Sequence, residues 1–178
     1  MKAEGVFITN LNSSLTVHCL LLCRLMGAVE RDDLKRLQQL LSTARDKQSI
    51  SQLAKCLHMA SMWGHQDCVD ALIEAGAMTN VHDVNGNTPL IVAVRQDHVS
   101  IVKTLIEAKC NVNKATYLAH ATPLHYAVSN GSLDCARLLI GAGAEIEAQT
   151  SSGRTPLMLA CRSGHEQAVD LLLKAGLN

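Results

Sequence analysis

The stretch ATPLHYAVSNG at residues 121–131 has two close copies in the same chain, GNTPLIVAV at 86–94 and GRTPLMLACRSGH at 153–165. A fourth, less regular copy surrounds Leu57. Aligned on these blocks, Leu57, Leu90, Leu124 and Leu157 stand 33, 34 and 33 residues apart. Self-similarity at such a period indicates a repeat architecture rather than one compact domain.

Each copy carries local signals for two short helices. Thr122 can cap a helix through its hydroxyl, and Pro123 suits the first helical position because its φ is already fixed. Gly131 then ends that helix, and apolar residues at helical spacing predict a second helix that ends near Gly143. The segment at 80–86 predicts an extended turn that projects sideways as a finger. Helices this short need neighbouring units to bury their apolar faces.

The quoted segments resemble the ankyrin repeat, a helix-turn-helix unit followed by a finger turn. The resemblance covers residues 50–178 and implies an all-α ankyrin-repeat solenoid. It also implies a non-enzymatic module that binds another protein through a concave groove. In this family the fingertips and the exposed side of each first helix line that groove together.

Five units are predicted in all. Leu25 and Ala28 precede Leu57 and Ala60 by 32 residues, so a degenerate first unit extends the array. Charged residues suit that unit for a capping role, whereas the helix pair ending at Gly176 has no polar cap after it. We expect a longer parent protein, or else a partner, to cover that end. The predicted ranges are a mobile leader at 1–22, a degenerate capping repeat at 23–49, and ankyrin repeats at 50–82, 83–116, 117–149 and 150–178.

The unit from residue 50 departs from the pattern at its start. Lys55 and Cys56 stand where the other units have Thr-Pro. Ser49 to Gln52 has the form of a capping box, so we expect this helix to begin near Ser49–Ser51.

The finger at 113–122 has one residue more than its counterpart at 80–88. It also has His120 at the position of Gly86 and Gly153. We therefore expect an irregular finger that exposes Tyr117 and Leu118 at its tip.

Charge and composition narrow the classes of partner. The 16 basic residues balance the 16 acidic ones, so no overall field favours nucleic acid or an anionic membrane. The apolar run at 15–22 is too short to span a bilayer, and we predict no membrane insertion. The 7 cysteines include no CxxC pair, which indicates reduced thiols and a cytoplasmic or possibly nuclear protein.

No motif supports catalysis, a cofactor, a metal or a small-molecule substrate. Most histidines recur with the repeat and are predicted to have framework roles; these are His58, His65, His98, His125 and His165. His82 and His120 lie at fingertips and are freer. Cys68, Cys135 and Cys161 are expected to be small buried hydrophobic residues.

The predicted partner-binding residues lie in the last exposed turn of each first helix and at the fingertips. They are Met62, Trp63, Asn85, Asn87, Arg95, Gln96, Tyr117, Leu118, Ser129, Asn130, Arg154 and Arg162. Trp63 is the single Trp of the chain and its repeat equivalents are polar, which is typical of an interface anchor. A ring that packs flat on a neighbouring finger would explain Trp63 equally well.

The segment LIEAKCNVN at 105–113 resembles the finger sequence that an oxygen-sensing asparaginyl hydroxylase modifies in other ankyrin proteins. The resemblance implies that Asn113 is a modification site, although Asn111 replaces the usual acidic residue. A turn-forming role for Asn113 is the alternative.

Several protein classes stay open. HQDCV at 65–69 and SLDCA at 132–136 are similar to repeats of the ankyrin and SOCS-box adaptor family, which implies a substrate-receptor fragment of a ubiquitin-ligase adaptor. The box itself is absent from the sequence. A short kinase inhibitor matches in size, and a regulatory ankyrin segment of a larger protein fits the uncapped end. Framework residues do not identify the partner.

Overall fold

The computed structural model describes residues 24–43 and 47–176, and every regular element in those ranges is an α-helix. The helices are α1 (24–30), α2 (Leu34–Thr43), α3 (Lys47–Trp63), α4 (Gln66–Glu74), α5 (Pro89–Arg95), α6 (Val99–Glu107), α7 (Pro123–Asn130), α8 (Leu133–Gly141), α9 (Pro156–Ser163) and α10 (Glu166–Gly176). The predicted all-α solenoid is confirmed, and the predicted leader at 1–22 lies outside the described residues.

The Thr-Pro pairs start the first helices as predicted. The Oγ1 atom of Thr88 accepts a hydrogen bond from the N–H of Ile91 at 3.3 Å, and the same contact recurs at Thr155. Gly131 and Gly164 then end α7 and α9 with φ angles of 73° and 74°. Glycine adopts this left-handed conformation at little steric cost.

Successive units hold one another through one continuous core. The first helices α3, α5, α7 and α9 pack in order, and the second helices α2, α4, α6, α8 and α10 form another row. Leu57, Leu90 and Leu124 occupy one repeat position, and each is at most 1% exposed. Burying one such side chain contributes roughly 1.5–3 kcal/mol. Much of the stability therefore lies between units, not within them.

The first unit forms the helix pair that the degenerate repeat predicts. Leu25 on α1 is buried, and the carboxylate of Asp33 caps α2 by accepting a hydrogen bond from the N–H of Arg36 at 3.0 Å. However, α3 begins at Lys47, so the predicted boundary at residue 50 falls inside a helix. The predicted capping box is wrong because Ser49 is a helical residue. No proline fixes the start of this helix, and it extends further back.

The last described unit exposes positions that inner units bury. Val94 and Val128 are fully buried, whereas Cys161 at the same repeat position is exposed. The prediction that Cys161 is buried is therefore wrong, because no described unit packs against that face. Cys68 and Cys135 are buried as predicted.

The fingers share one closed geometry. In the first finger the N–H of Asp83 donates to the carbonyl of Asn87, and the same bond joins Thr150 to Arg154 in the third. In the second finger the corresponding bond spans 116–121, one residue more. The irregular finger predicted from the insertion is thus confirmed as a wider turn.

His120 takes the backbone conformation of the glycines that it replaces. Its φ is 49°, beside 76° for Gly86 and 72° for Gly153. A residue with a Cβ is strained in this left-handed region. The turn geometry is therefore retained despite an unfavourable residue.

Two histidines connect a first helix to the finger that follows its unit. In His125, Nδ1 accepts a hydrogen bond from the N–H of Thr122 at 3.1 Å, and Nε2–H donates to the carbonyl of Arg154 at 3.0 Å. His58 has Nε2 3.0 Å from the carbonyl of Asn87. The predicted framework roles of these two histidines are confirmed.

The recurring histidines at the start of the second helices also have framework contacts. His98 and His165 have Nε2 3.2 and 3.1 Å from carbonyls of the preceding unit, those of Met62 and Ser129. His65 instead lies 3.6 Å from the carboxylate of Asp32. Each ring thus joins two units.

We expect His120→Gly to raise the free energy of unfolding by about 0.5–1 kcal/mol, because glycine relieves the strained turn. Gly153→Ala is the matched control. Its added Cβ meets nothing within 4 Å, so backbone strain alone should destabilise it by about 1 kcal/mol. Urea unfolding measures both changes, and destabilisation by His120→Gly would contradict the expectation.

We expect stability to fall as the pH is lowered from about 7 to 5, with His125 contributing to the fall. Burial lowers the pKa of His125, and hydrogen bonds to the carbonyls of Arg154 and Ala148 oppose this only in part. The unfolded chain, with a histidine pKa near 6.5, therefore takes up the proton first as the pH drops.

The contribution of His125 is fully present above about pH 6.5 and declines below it, until the native pKa is passed. Urea unfolding at pH 7.5 and 5.5 should show a smaller difference for His125→Gln than for the wild type. Equal differences in the two proteins would refute the assignment.

Candidate protein-interaction surface

A groove lies between the first helices of the first three units and the finger that follows α4. Its volume is about 530 Å³. The apolar lining consists of Met26, Ala54, Met59, Met62, Val81, Val84 and Val92, and the polar lining consists of Lys55, His58, His82, Asp83 and the predicted Asn85. Methionine is flexible and polarizable, so a methionine-lined groove adapts to differently shaped apolar side chains.

The first two fingertips extend this apolar surface. Val84 is 100% exposed and borders the groove, while Leu118 and Tyr117 are 88% and 60% exposed. The rings of Tyr117 and His82 have centroids 4.1 Å apart, and a Cβ added to Gly86 would lie 2.8 Å from the Tyr117 ring. Tyr117 is therefore held against the preceding fingertip, and its exposed face is preorganised.

His82 is not the free fingertip residue that the sequence predicted. Its Nε2 lies 3.0 Å from the carbonyl of Ala115, in addition to its contact with Tyr117. His82 instead joins the first finger to the second.

Asp83 sets the shape of the first fingertip. Its Oδ1 atom accepts hydrogen bonds from the N–H groups of Asn85 at 2.9 Å and Asn87 at 2.8 Å. Partial burial raises the pKa of this carboxyl, but the bonds from Asn87 and Asn85 outweigh it, so the net pKa is lowered. The carboxylate thus stays ionised and serves mainly to hold the turn.

The structure corrects the prediction that Asn87 is an exposed fingertip residue. Its side chain is only 6% exposed, and its amide donates to the Asp83 carboxylate. Asn87 therefore holds the turn from inside and cannot contact a partner. Asn85 and Arg154 are exposed, as expected for fingertip residues.

The last turns of the first helices place most of the other predicted residues at the surface. Met62, Arg95, Gln96, Asn130 and Arg162 are exposed, and Ser129 is half-buried. The Arg95 guanidinium lies 5.5 Å above the centroid of the Tyr126 ring, and the Asn130 amide donates to the carbonyl of Arg95 at 3.3 Å. The predicted Arg95 and Asn130 therefore lie together, with Tyr126 beside them.

Trp63 is 37% exposed, at the end of α3. Its ring centroid lies 6.0 Å from that of His65, and the two rings are tilted by 56°. Among the predicted pair, Met62 lines the groove and Trp63 does not. An anchor role for Trp63 therefore stays a prediction, and any such contact would lie beside the groove.

Asn113 has both atoms of its amide engaged. Its Oδ1 accepts a hydrogen bond from the N–H of Glu145 at 2.8 Å, and its Nδ2 donates to the carbonyl of Gly143 at 3.2 Å. These bonds join the second finger to the turn after α8, at the end of the fourth unit. The geometry favours a structural role.

Sequence reasoning missed most of the apolar lining of the groove and predicted only Met62 of it. Met26, Met59 and Val92 line it from positions that resemble ordinary core columns of a repeat, and Val81 and Val84 line it from the finger. Met59, Val92, Tyr126 and Leu159 occupy equivalent places, and this column was the available signal. Met59, Tyr126 and Leu159 are half-buried and Val92 is buried, and of this column Met59 and Val92 line the groove.

Residues 24–43 and 47–176 contain neither a metal-binding cluster nor a membrane-spanning helix. No three His, Cys, Asp or Glu side chains converge there to hold a metal ion. Nor does any helix of those ranges combine the length and apolar composition that crossing a bilayer requires.

Comparison with known proteins gives the same picture as the helix pairs and fingers. The family described as "Ankyrin repeats (3 copies)" matches residues 25–116 and 114–178. The chain is 39% identical over 114 residues to the probable E3 ubiquitin-protein ligase XBOS33 of Oryza sativa subsp. japonica, covering 56% of the chain and 22% of that protein. It is 34% identical over 128 residues to ankyrin repeat and SOCS box protein 16 of Homo sapiens, covering 67% and 28%.

The chain therefore spans less than a third of the length of either relative. The family match, in contrast, covers nearly all of the described residues. Stacked helix pairs, closed fingers and a groove along the first helices are the features that this match explains. The chain belongs to the ankyrin-repeat family, whose repeats are non-catalytic protein-interaction modules.

Proposed function

We propose that the chain binds its protein partner along the methionine-lined groove and the first two fingertips. The observation that carries the proposal is the exposure of Met62 and Val84 at one groove, at 43% and 100%, with Leu118, 88% exposed, on the next fingertip. Contiguous exposed apolar side chains on a folded protein mark interaction sites. The polar partners that fix Asp83 and His82 keep this surface rigid, which limits the entropic cost of binding.

The proposal assigns no catalytic step, cofactor, nucleic acid or small-molecule substrate, and it places the chain in the cytoplasm or nucleus. The buried thiols support it. Burial is the main cause that raises the pKa of Cys56, Cys68 and Cys135 to about 12 and that of Cys110 to about 11. A thiol acts as a nucleophile or metal ligand only as the thiolate, so these four are inert packing residues.

A second candidate is recruitment of a substrate to ubiquitin-ligase machinery, or regulation as part of a larger protein. It is favoured by the similarity to two proteins, a probable E3 ubiquitin-protein ligase and an ankyrin repeat and SOCS box protein. Proximity labelling with the full chain in cells separates the candidates. Ligase components among the labelled proteins favour the second, and their absence beside a reproducible partner favours the first.

Modification of Asn113 stays a separate proposal. Hydroxylation at its Cβ requires the second finger to open, because both amide atoms are hydrogen-bonded. Intact-mass measurement after incubation with an asparaginyl hydroxylase should show a gain of one oxygen that Asn113→Ala abolishes. An unchanged mass would leave Asn113 with its structural role alone.

For a partner recovered by labelling, we expect Trp63→Ala and Met62→Ala each to weaken binding by about 2 kcal/mol, because apolar anchors dominate interfaces. Calorimetric titration measures the loss. Met158→Ala is the matched control, since Met158 is 56% exposed and lies outside the groove.

Two outcomes would contradict parts of this expectation. Reduced thermal stability with unchanged affinity in Trp63→Ala would assign Trp63 to packing. Unchanged affinity in Met62→Ala and in Val84→Ala would remove the groove from the proposed surface.

A further inference from the structure

The helices of the second to fifth units separate charge by face, although the whole chain is neutral. The first helices α3, α5, α7 and α9 contain 4 basic residues and no Asp or Glu. The second helices α4, α6, α8 and α10 contain 7 acidic and 3 basic residues. The groove is lined by first helices and a finger, and by no residue of a second helix. The binding face of these units is therefore positive and the opposite face negative.

The cations of the binding face are available. Lys55, Arg95 and Arg162 are exposed, and none forms an ion pair with a carboxylate of the described residues. Lys55 borders the methionine-lined groove. Arg95 lies over the Tyr126 ring, which orients the guanidinium and leaves its N–H donors free for a carboxylate.

Three carboxylates that lie in the finger or in the turns after first helices already accept hydrogen bonds within the protein. Asp83 is bonded to Asn85 and Asn87. In the turns after first helices, Asp32 and Asp97 accept hydrogen bonds from the thiols of the next unit, Cys68 at 3.5 Å and Cys135 at 3.4 Å.

Three other carboxylates lie away from the middle of the face. Glu145 and Glu147 share a shallow depression with Gly176 at the end of α10. Glu30, on α1, is the one acidic residue in the described part of the first unit's first helix, where Arg24 balances it.

We infer that the partner presents an acidic peptide segment with an apolar side chain. The apolar side chain enters the methionine-lined groove, and flanking carboxylates pair with Lys55, Arg95 and Arg162. This inference rests on the proposed function, because it uses the same groove. Charge complementarity of this kind selects partners and speeds association more than it adds raw affinity.

The spacing of the units sets the length of the segment. Packed helices lie 8–10 Å apart, so three steps from α3 to α9 span roughly 24–30 Å. An extended chain advances about 3.3 Å per residue, which gives roughly seven to nine residues. Twelve-residue peptides are therefore long enough to reach all three cations.

The test is selection of random twelve-residue peptides, displayed on phage, against the full chain. Enriched peptides are then synthesised with a fluorescent label and titrated against three proteins. The first is the wild type and the second carries Lys55→Glu, Arg95→Glu and Arg162→Glu. The third, a matched control, carries Lys35→Glu, Lys103→Glu and Arg137→Glu on second helices, with the same change in net charge.

Enrichment in Asp, Glu and an aliphatic or aromatic residue supports the inference. We then expect binding about tenfold weaker or more in the first charge variant, and within about twofold of wild type in the control. Circular dichroism checks that each variant is folded. If charge reversal prevents folding, the triple Lys55→Gln, Arg95→Gln and Arg162→Gln replaces it, with the same expected direction.

The remaining outcomes separate this inference from the proposed function. If the enriched peptides are neutral or basic, and Met62→Ala weakens their binding, the inference of an acidic partner is overturned but the groove remains the binding site. Peptides unaffected by Met62→Ala and Val84→Ala would overturn both. Binding of a labelled 20-nucleotide single-stranded DNA without enrichment of acidic peptides would assign the cations to nucleic acid and also overturn the inference.

Discussion

The contact between neighbouring helix pairs is the constraint on which this protein depends. A first helix such as α5 has 7 residues, too few to be stable alone in water. It persists because Leu90 and Val94 are buried between the adjoining units. The side of the helix that faces neither neighbouring unit remains exposed as a narrow strip of surface. Stability and recognition are thereby assigned to different sides of the same short helix.

One backbone position links the units in two chemically different ways. Gly64 makes room for the His98 ring, because a Cβ atom at this position would lie 2.8 Å from that ring. Gly131 and His165 repeat this arrangement. At Asp97, φ is 58° and the carboxylate accepts a bond from Cys135. A glycine at this position leaves space for an imidazole, whereas an aspartate accepts a hydrogen bond from a thiol and, in the case of Asp32, also lies beside an imidazole.

The sequence predicted the fold well because the repeat is visible four times over. Thr-Pro, the closing glycines and the apolar columns each have a local cause, so the helices could be placed from residues 88–95 and their copies. The groove was harder to predict. From the sequence, Met59 is interpreted as a core residue because it shares a repeat position with Val92, and the burial of the two side chains differs only in degree. Asn87 is interpreted as exposed because its hydrogen bond to Asp83 forms only in the closed finger. Such details follow from tertiary contacts that one sequence pattern does not encode.

Net charge is a poor guide to partners in a molecule built this way. Each first helix has few exposed side chains, so a single repeat position strongly influences the chemistry of the whole face that these helices form. One such column consists of Met62, Arg95, Ser129 and Arg162, of which three are exposed and Ser129 is half-buried. A neutral chain can therefore hold a basic binding face, provided that its second helices carry the opposite charge. The buried column of Leu57, Leu90 and Leu124 is constant while the exposed column varies, so the chemistry of this face can change without a change in the core.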